Sequence, residues 1–146
     1  MALPSQTATL IAAGIAAIAS LLSLFLNSRL VARREKRQQV WQLELKRITE
    51  LEELAGRVTE TFCAYYPIEK LEVEAALLLP QLEVGAGRFR RYKEITQAIR
   101  DIHNAAGRVL DDRRHHEIDR ESKHDLESSF QKLLKSCDAI IKDRRA

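Results

Sequence analysis

The first 28 residues of this chain carry no charged side chain, and residues 5–66 contain no proline. Without charge that stretch is poorly suited to water, and without proline nothing interrupts a helix through it. Glycine is nearly as scarce, with 5 in 146 residues, and proline totals 3. No segment alternates apolar and polar residues as a half-buried strand would, so an almost wholly helical protein is expected. Cys63 and Cys137 have no second thiol nearby to suggest a zinc knuckle or redox pair; both fall on apolar helix faces and are expected buried and reduced. Gly85, Ala86 and Gly87 lack the third glycine, the following Lys-Ser/Thr and the preceding strand of a phosphate loop. Serine-hydrolase and metalloprotease spacings are also missing, and neither enzyme activity nor a cofactor is expected.

What the chain does have is an apolar run over residues 8–26, which as a helix measures roughly 28 Å, the thickness of a bilayer's hydrocarbon core. A signal peptide is the rival reading, but the basic residues follow the apolar core instead of preceding it. Too few long apolar stretches remain elsewhere to surround an all-apolar core helix. Within the run Gln6, Thr9, Ala13, Ala16, Ser20, Ser23 and Asn27 recur at spacings of three and four, and each is small or polar. Such a stripe gains nothing from lipid and is expected to face copies of itself or water. It predicts either the lining of an oligomeric pore or a close-packed helix-dimer seam.

No Lys or Arg precedes the run, whereas Arg29, Arg33, Arg34, Lys36 and Arg37 follow it. The positive-inside rule therefore predicts a single-pass protein with its N-terminus outside and residues 28–146 in the cytoplasm, the basic cluster also serving as a lipid headgroup anchor. Three divisions follow: residues 1–27 as tail and transmembrane helix, 28–66 as a long juxtamembrane helix, and 67–146 as the rest of a cytoplasmic antiparallel helical bundle. Trp41, Ile48, Leu51, Ala55, Val58, Phe62 and Tyr65 continue the seam in phase, predicting one rod of roughly 90 Å. A short apolar helix is then expected to end at Pro80, with a flexible turn at residues 85–87. A third helix is expected from near Arg88, with Phe89, Tyr92, Ile95, Ile99, Ile102, Ala106, Val109 and Leu110 inward. Residues 111–117 read as a loop or frayed turn, and a fourth helix follows with Ile118, Leu126, Phe130, Leu133, Leu134, Cys137, Ile140 and Ile141 inward.

Three constellations bear on chemistry. Arg88, Arg90, Arg91, Tyr92, Lys93, Arg100, Arg108, Arg113 and Arg114 can form a face for an anionic ligand, a nucleotide or short single-stranded nucleic acid, with aromatic interleaving suited to base stacking. The competing reading is a solvated or ion-paired helix surface with its aromatics in the core. His115, His116 and His124 lie near Asp112, Asp119 and Asp125, residue types that are common on solvated turns, so no metal site is expected. Arg108 followed by His115 resembles the Arg-x(4 to 6)-His signature of the HEPN ribonuclease fold, although Val109 stands where a polar residue is usual. That resemblance implies a phosphate-holding Arg108 and an acid-base His115 in an RNA-cleaving dimer.

Taken as a whole, the span at residues 8–26, the seam from Gln6 to Asn27 and the bundle from Arg88 onward resemble the small transmembrane effectors of bacterial anti-phage defence. Two are similar in architecture: the membrane effector of the Hailong system, and the membrane-bound HEPN-derived accessory of type VI-B CRISPR systems. The resemblance implies a homo-oligomeric ion channel of the inner membrane that depolarises it when a nucleotide or oligonucleotide binds or leaves. It also implies a nucleotidyltransferase partner encoded in the same operon. A membrane-tethered RNA-binding or RNA-cleaving protein and a non-enzymatic helical scaffold are the alternatives.

Overall fold

A computed structural model describes residues 5–145, which form four helices and no strand: α1 (Ser5–Cys63), α2 (Ile68–Arg88), α3 (Lys93–Arg114) and α4 (Arg120–Arg145). Residues 1–4 and 146, included in the outer expected divisions, lie outside the described residues. The chain separates into two compact units, one ending at Glu44 and the other beginning at Leu45, so α1 contributes to both.

In the first unit every described side chain from Gln6 to Val40 is exposed. The helix is long and apolar enough to cross a membrane, and none of its apolar window is buried. Its hydroxyls are partly satisfied from within. Ser20 Oγ donates to the Ala16 carbonyl at 2.9 Å and Ser28 Oγ to the Phe25 carbonyl at 2.9 Å, so neither brings an unmet donor to its surroundings.

In the second unit the four helices share one core. Ile48, Leu51, Ala55, Val58 and Phe62, spaced three and four apart, bury one stripe of α1, and Leu71, Ala75, Leu78 and Leu82 bury the matching stripe of α2. Helix α3 packs against both α2 and α4, burying eight residues from Ile95 to Leu110. Leu126, Leu133 and Cys137 complete the core from α4. A methyl group at Gly56 would stand 3.5 Å from the Phe130 ring, which places α4 directly beside α1. One at Gly85 would press to 3.2 Å from Leu51 Cδ1, so the missing side chain is what lets α2 approach α1 this closely.

Several expected boundaries move. Helix α2 runs through Pro80 and through residues 85–87, all helical, to Arg88. An internal proline costs roughly 3 kcal/mol, but the helix beyond it carries Leu82 into the core, and burying one leucine returns about 1.5–3 kcal/mol. Pro80 and Ala76 are both exposed, so the carbonyl that loses its partner is open to solvent. The turn falls at residues 89–92 instead, and α3 starts at Lys93, not near Arg88. Phe89 plugs the core from this turn, while Thr96 Oγ1 bonds the Phe89 and Tyr92 carbonyls at 3.0 and 3.1 Å and fixes its shape.

At its other end α3 continues through residues 111–114. It closes with His116 N–H donating to the Arg113 carbonyl and Glu117 N–H to the Asp112 carbonyl, with His116 at φ 54°. This is a Schellman closure with histidine where glycine is usual. Ile118, expected inward, is 87% exposed, and Tyr65, expected to continue the α1 seam, is 97% exposed, because both lie in the connections outside the helices. Cys137 is buried and Cys63 partly so; both are free thiols.

Candidate functional site

The two halves of the α1 seam meet different fates. Gln6, Thr9, Ala13, Ala16, Ser20, Ser23 and Asn27 are all exposed in the single chain. Downstream, Ile48, Leu51, Ala55, Val58 and Phe62 are enclosed by the chain's own α2, α3 and α4. Their spacing is therefore accounted for without a second copy.

The basic residues separate into committed and uncommitted groups. Arg113 is largely enclosed, and its guanidinium donates to Asp119 Oδ2 at 2.8 Å, to the Tyr66 carbonyl at 2.8 Å and to the Ala64 carbonyl at 2.9 Å. It staples the connection after α1 to the one before α4, and its charge is neutralised there. Arg114 pairs with Glu72 at 2.7 Å, and Arg108 with Asp125 at 3.0 Å. His115 sits at the C-terminus of α3 with Nδ1 2.8 Å from the Asp111 carbonyl oxygen. Two helical turns, about 10 Å of rise, separate it from Arg108, too far for both to hold one phosphodiester within a single chain.

The aspartates beside the histidines are likewise engaged. Asp112 accepts from the Ser122 hydroxyl, Asp119 from Arg113 and Lys123, and Asp125 from Arg108. Burial pushes the Asp119 carboxyl upward, but the hydrogen bonds from Arg113 and Lys123 outweigh it and hold the group below its ordinary value. Among the described residues no group of three or more metal-binding side chains comes together. Burial, reinforced by Glu52, pushes the Cys137 thiol up to about 12, and burial also raises that of Cys63, so neither has the character of a nucleophile.

The remaining candidates lie in different grooves. Arg90 and Arg100 come together in one of about 450 Å³ between α2 and α3, beside Asn104 and His103. His103 Nε2 is 3.2 Å from Glu83 Oε1. Lys93 lies in another groove with Lys132 and Lys135, and Arg108 in a third with Ser129. Arg91 is exposed and Tyr92 half-buried in the turn before α3, where the Tyr92 hydroxyl is 3.4 Å from Arg144 Nη2.

Arg88 faces a groove of about 440 Å³ between α1 and α2, where it meets two arginines absent from the expected set, Arg47 and Arg57. The signal for them was in the chain: Arg47, Leu54 and Arg57, seven and three apart, share one side of a helix next to the buried stripe. What periodicity lacked was the facing wall. No protein-family model matches this chain, and no curated protein and no solved structure matches it.

Proposed function

We propose that this protein is a homo-oligomeric membrane pore whose cytoplasmic helical domain is regulated by an anionic ligand, a nucleotide or oligonucleotide. It acts as an effector of the anti-phage type that its architecture resembles. The observation that carries this reading is the run over residues 8–26, bare along its whole length in the single chain and striped on one side with small and polar residues. Identical helices arranged around a pore with Ala13, Ala16, Ser20 and Ser23 facing its lumen remove that stripe from lipid, and the surrounding isoleucines and leucines remain against the acyl chains. The basic residues after the run set the topology, with the helical domain inside. Several of its arginines, Arg47, Arg57 and Arg88 among them, have no carboxylate within ion-pair distance among the described residues and stand at a surface an anion can reach.

The experiment is ion flux through liposomes containing the purified full chain. Ser20→Leu and Ser23→Leu place an isobutyl group on the stripe; each is expected to abolish flux while the particle mass in detergent stays unchanged. Undiminished flux in both variants removes the stripe from the pore wall, and no flux from the unsubstituted protein, with or without nucleotide, leaves a tethered helical domain.

A further inference from the structure

The groove between α1 and α2 carries the strongest unassigned chemistry in the molecule. From α1 it presents Arg47 and Arg57, and from α2 Arg88, over an apolar floor of Leu51, Leu54 and Val84. None of the three arginines has a carboxylate within ion-pair distance among the described residues, in contrast to Arg108, Arg113 and Arg114. The acid in the groove, Glu50, has Lys46 at 3.9 Å. With Glu50 beside Lys46, the three guanidiniums leave the groove positively charged, which favours an anion. Guanidinium also binds phosphate through paired parallel hydrogen bonds, which an ammonium cannot do. At about 440 Å³ the groove falls within the range of about 300–1,000 Å³ typical of small-molecule sites.

The geometry points to this groove as a binding site for an organic phosphate: the phosphate held by Arg88 with one of the two α1 arginines, which stand ten residues and about 15 Å of rise apart, and a flat or apolar body lying on Leu51, Leu54 and Val84. It deepens the regulated-pore reading by giving the ligand a location on α1, the helix that also carries the apolar run. A nucleotide and the phosphomonoester headgroup of a lipid share this chemistry. The site differs from the Arg90 and Arg100 groove, which is polar throughout much of its lining and has no wall on α1.

The test is direct binding to the full chain in phosphatidylcholine nanodiscs, so that failure of conductance leaves it readable. The probes are N-methylanthraniloyl-ATP, followed by fluorescence, with unlabelled ATP and dihexanoyl phosphatidate as competitors. Saturable binding that weakens with salt is expected. The double substitution Arg47→Glu and Arg57→Glu is expected to lose on the order of tenfold in affinity, and Arg88→Glu, on the facing wall, to show the same sense of change. Arg90→Glu with Arg100→Glu should leave affinity within about twofold, since those charges lie outside the groove. All the substituted residues are exposed, and circular dichroism checks that helix content is kept. Displacement by ATP alone identifies a nucleotide site, and displacement by phosphatidate a lipid-headgroup site. The proposal is overturned if neither compound binds, if the Arg47 and Arg57 variant binds normally, or if the Arg90 and Arg100 variant loses as much.

Discussion

Helix α1 holds two phenylalanines on the same element in opposite circumstances: Phe25 is 56% exposed, and Phe62 is fully enclosed by α2, α3 and α4. Both belong to stretches with strong helical patterning, and the contrast between them separates two causes of that patterning. Around Phe62 the apolar stripe is covered by the same chain, so its energetic return is realised in the monomer's own fold. Around Phe25 no described residue of the chain covers the apolar run. Periodicity reports that a helix has a special side; it does not report what that side meets.

The contrast is broken most forcefully by truncating both rings. Phe62→Ala is expected to cost about 4 kcal/mol in the unfolding free energy of the helical domain, measured by denaturant titration of the full chain in detergent. Phe25→Ala is expected to change the same quantity by less than about 0.5 kcal/mol, as an exposed substitution does. Equal losses would mean that the two stretches fold as one unit, against the division at Glu44 and Leu45.

A smaller effect sharpens the description of how the enclosed stretch of α1 ends. Arg113→Ala leaves the Ala64 and Tyr66 carbonyls and the Asp119 carboxylate without their shared donor, a loss of about 3 kcal/mol. The same contact sets an acid limb. Because Asp119 is held below its ordinary value, its contribution is complete above the unfolded aspartate value of about 3.9. It disappears as pH falls through the lower folded value. Stability of the unsubstituted protein should therefore decline below about pH 4, and the Arg113→Ala variant should decline less steeply over the same interval.

The smallest expected effect lies outside both stretches. His116 holds a left-handed backbone at φ 54°, which costs a non-glycine residue roughly 1–2 kcal/mol. Replacing it with glycine should stabilise the helical domain by about 1 kcal/mol in the same titration, offset in part by the added freedom of the unfolded chain. A loss of stability would assign the histidine ring a contact that outweighs its backbone strain.

Much of the fold was legible in the residues. The length of α1 followed from the absence of proline over residues 5–66, and the inner faces of α1 and α3 followed from spacings of three and four. Pro80 and the pair Gly85 and Gly87 misled, because their local preference for breaking a helix was outweighed by the burial of Leu78 and Leu82 on either side. Ile118 misled in the opposite sense: its apolar character suggested the core, but the closure at His116 sets it in a connection beyond the helix end. For the site, Arg88, Arg90 and Arg100 could be picked out as basic surface. Their separation into two grooves could not, since it depends on which helix stands opposite each one.

The amino-acid sequence alone determined that this chain is helical, that its first helix is long, and that residues 8–26 of it are apolar enough to cross a bilayer. These follow from short-range causes: backbone hydrogen bonding within one segment, proline's missing donor and the cost of exposing apolar surface. Only the tertiary structure decided which arginines are spent on carboxylates and carbonyls and which remain to line a groove with Leu54 and Val84. Such pairings join residues far apart in the chain, as Arg113 joins Ala64, and no local spacing encodes which partner the fold will bring within reach.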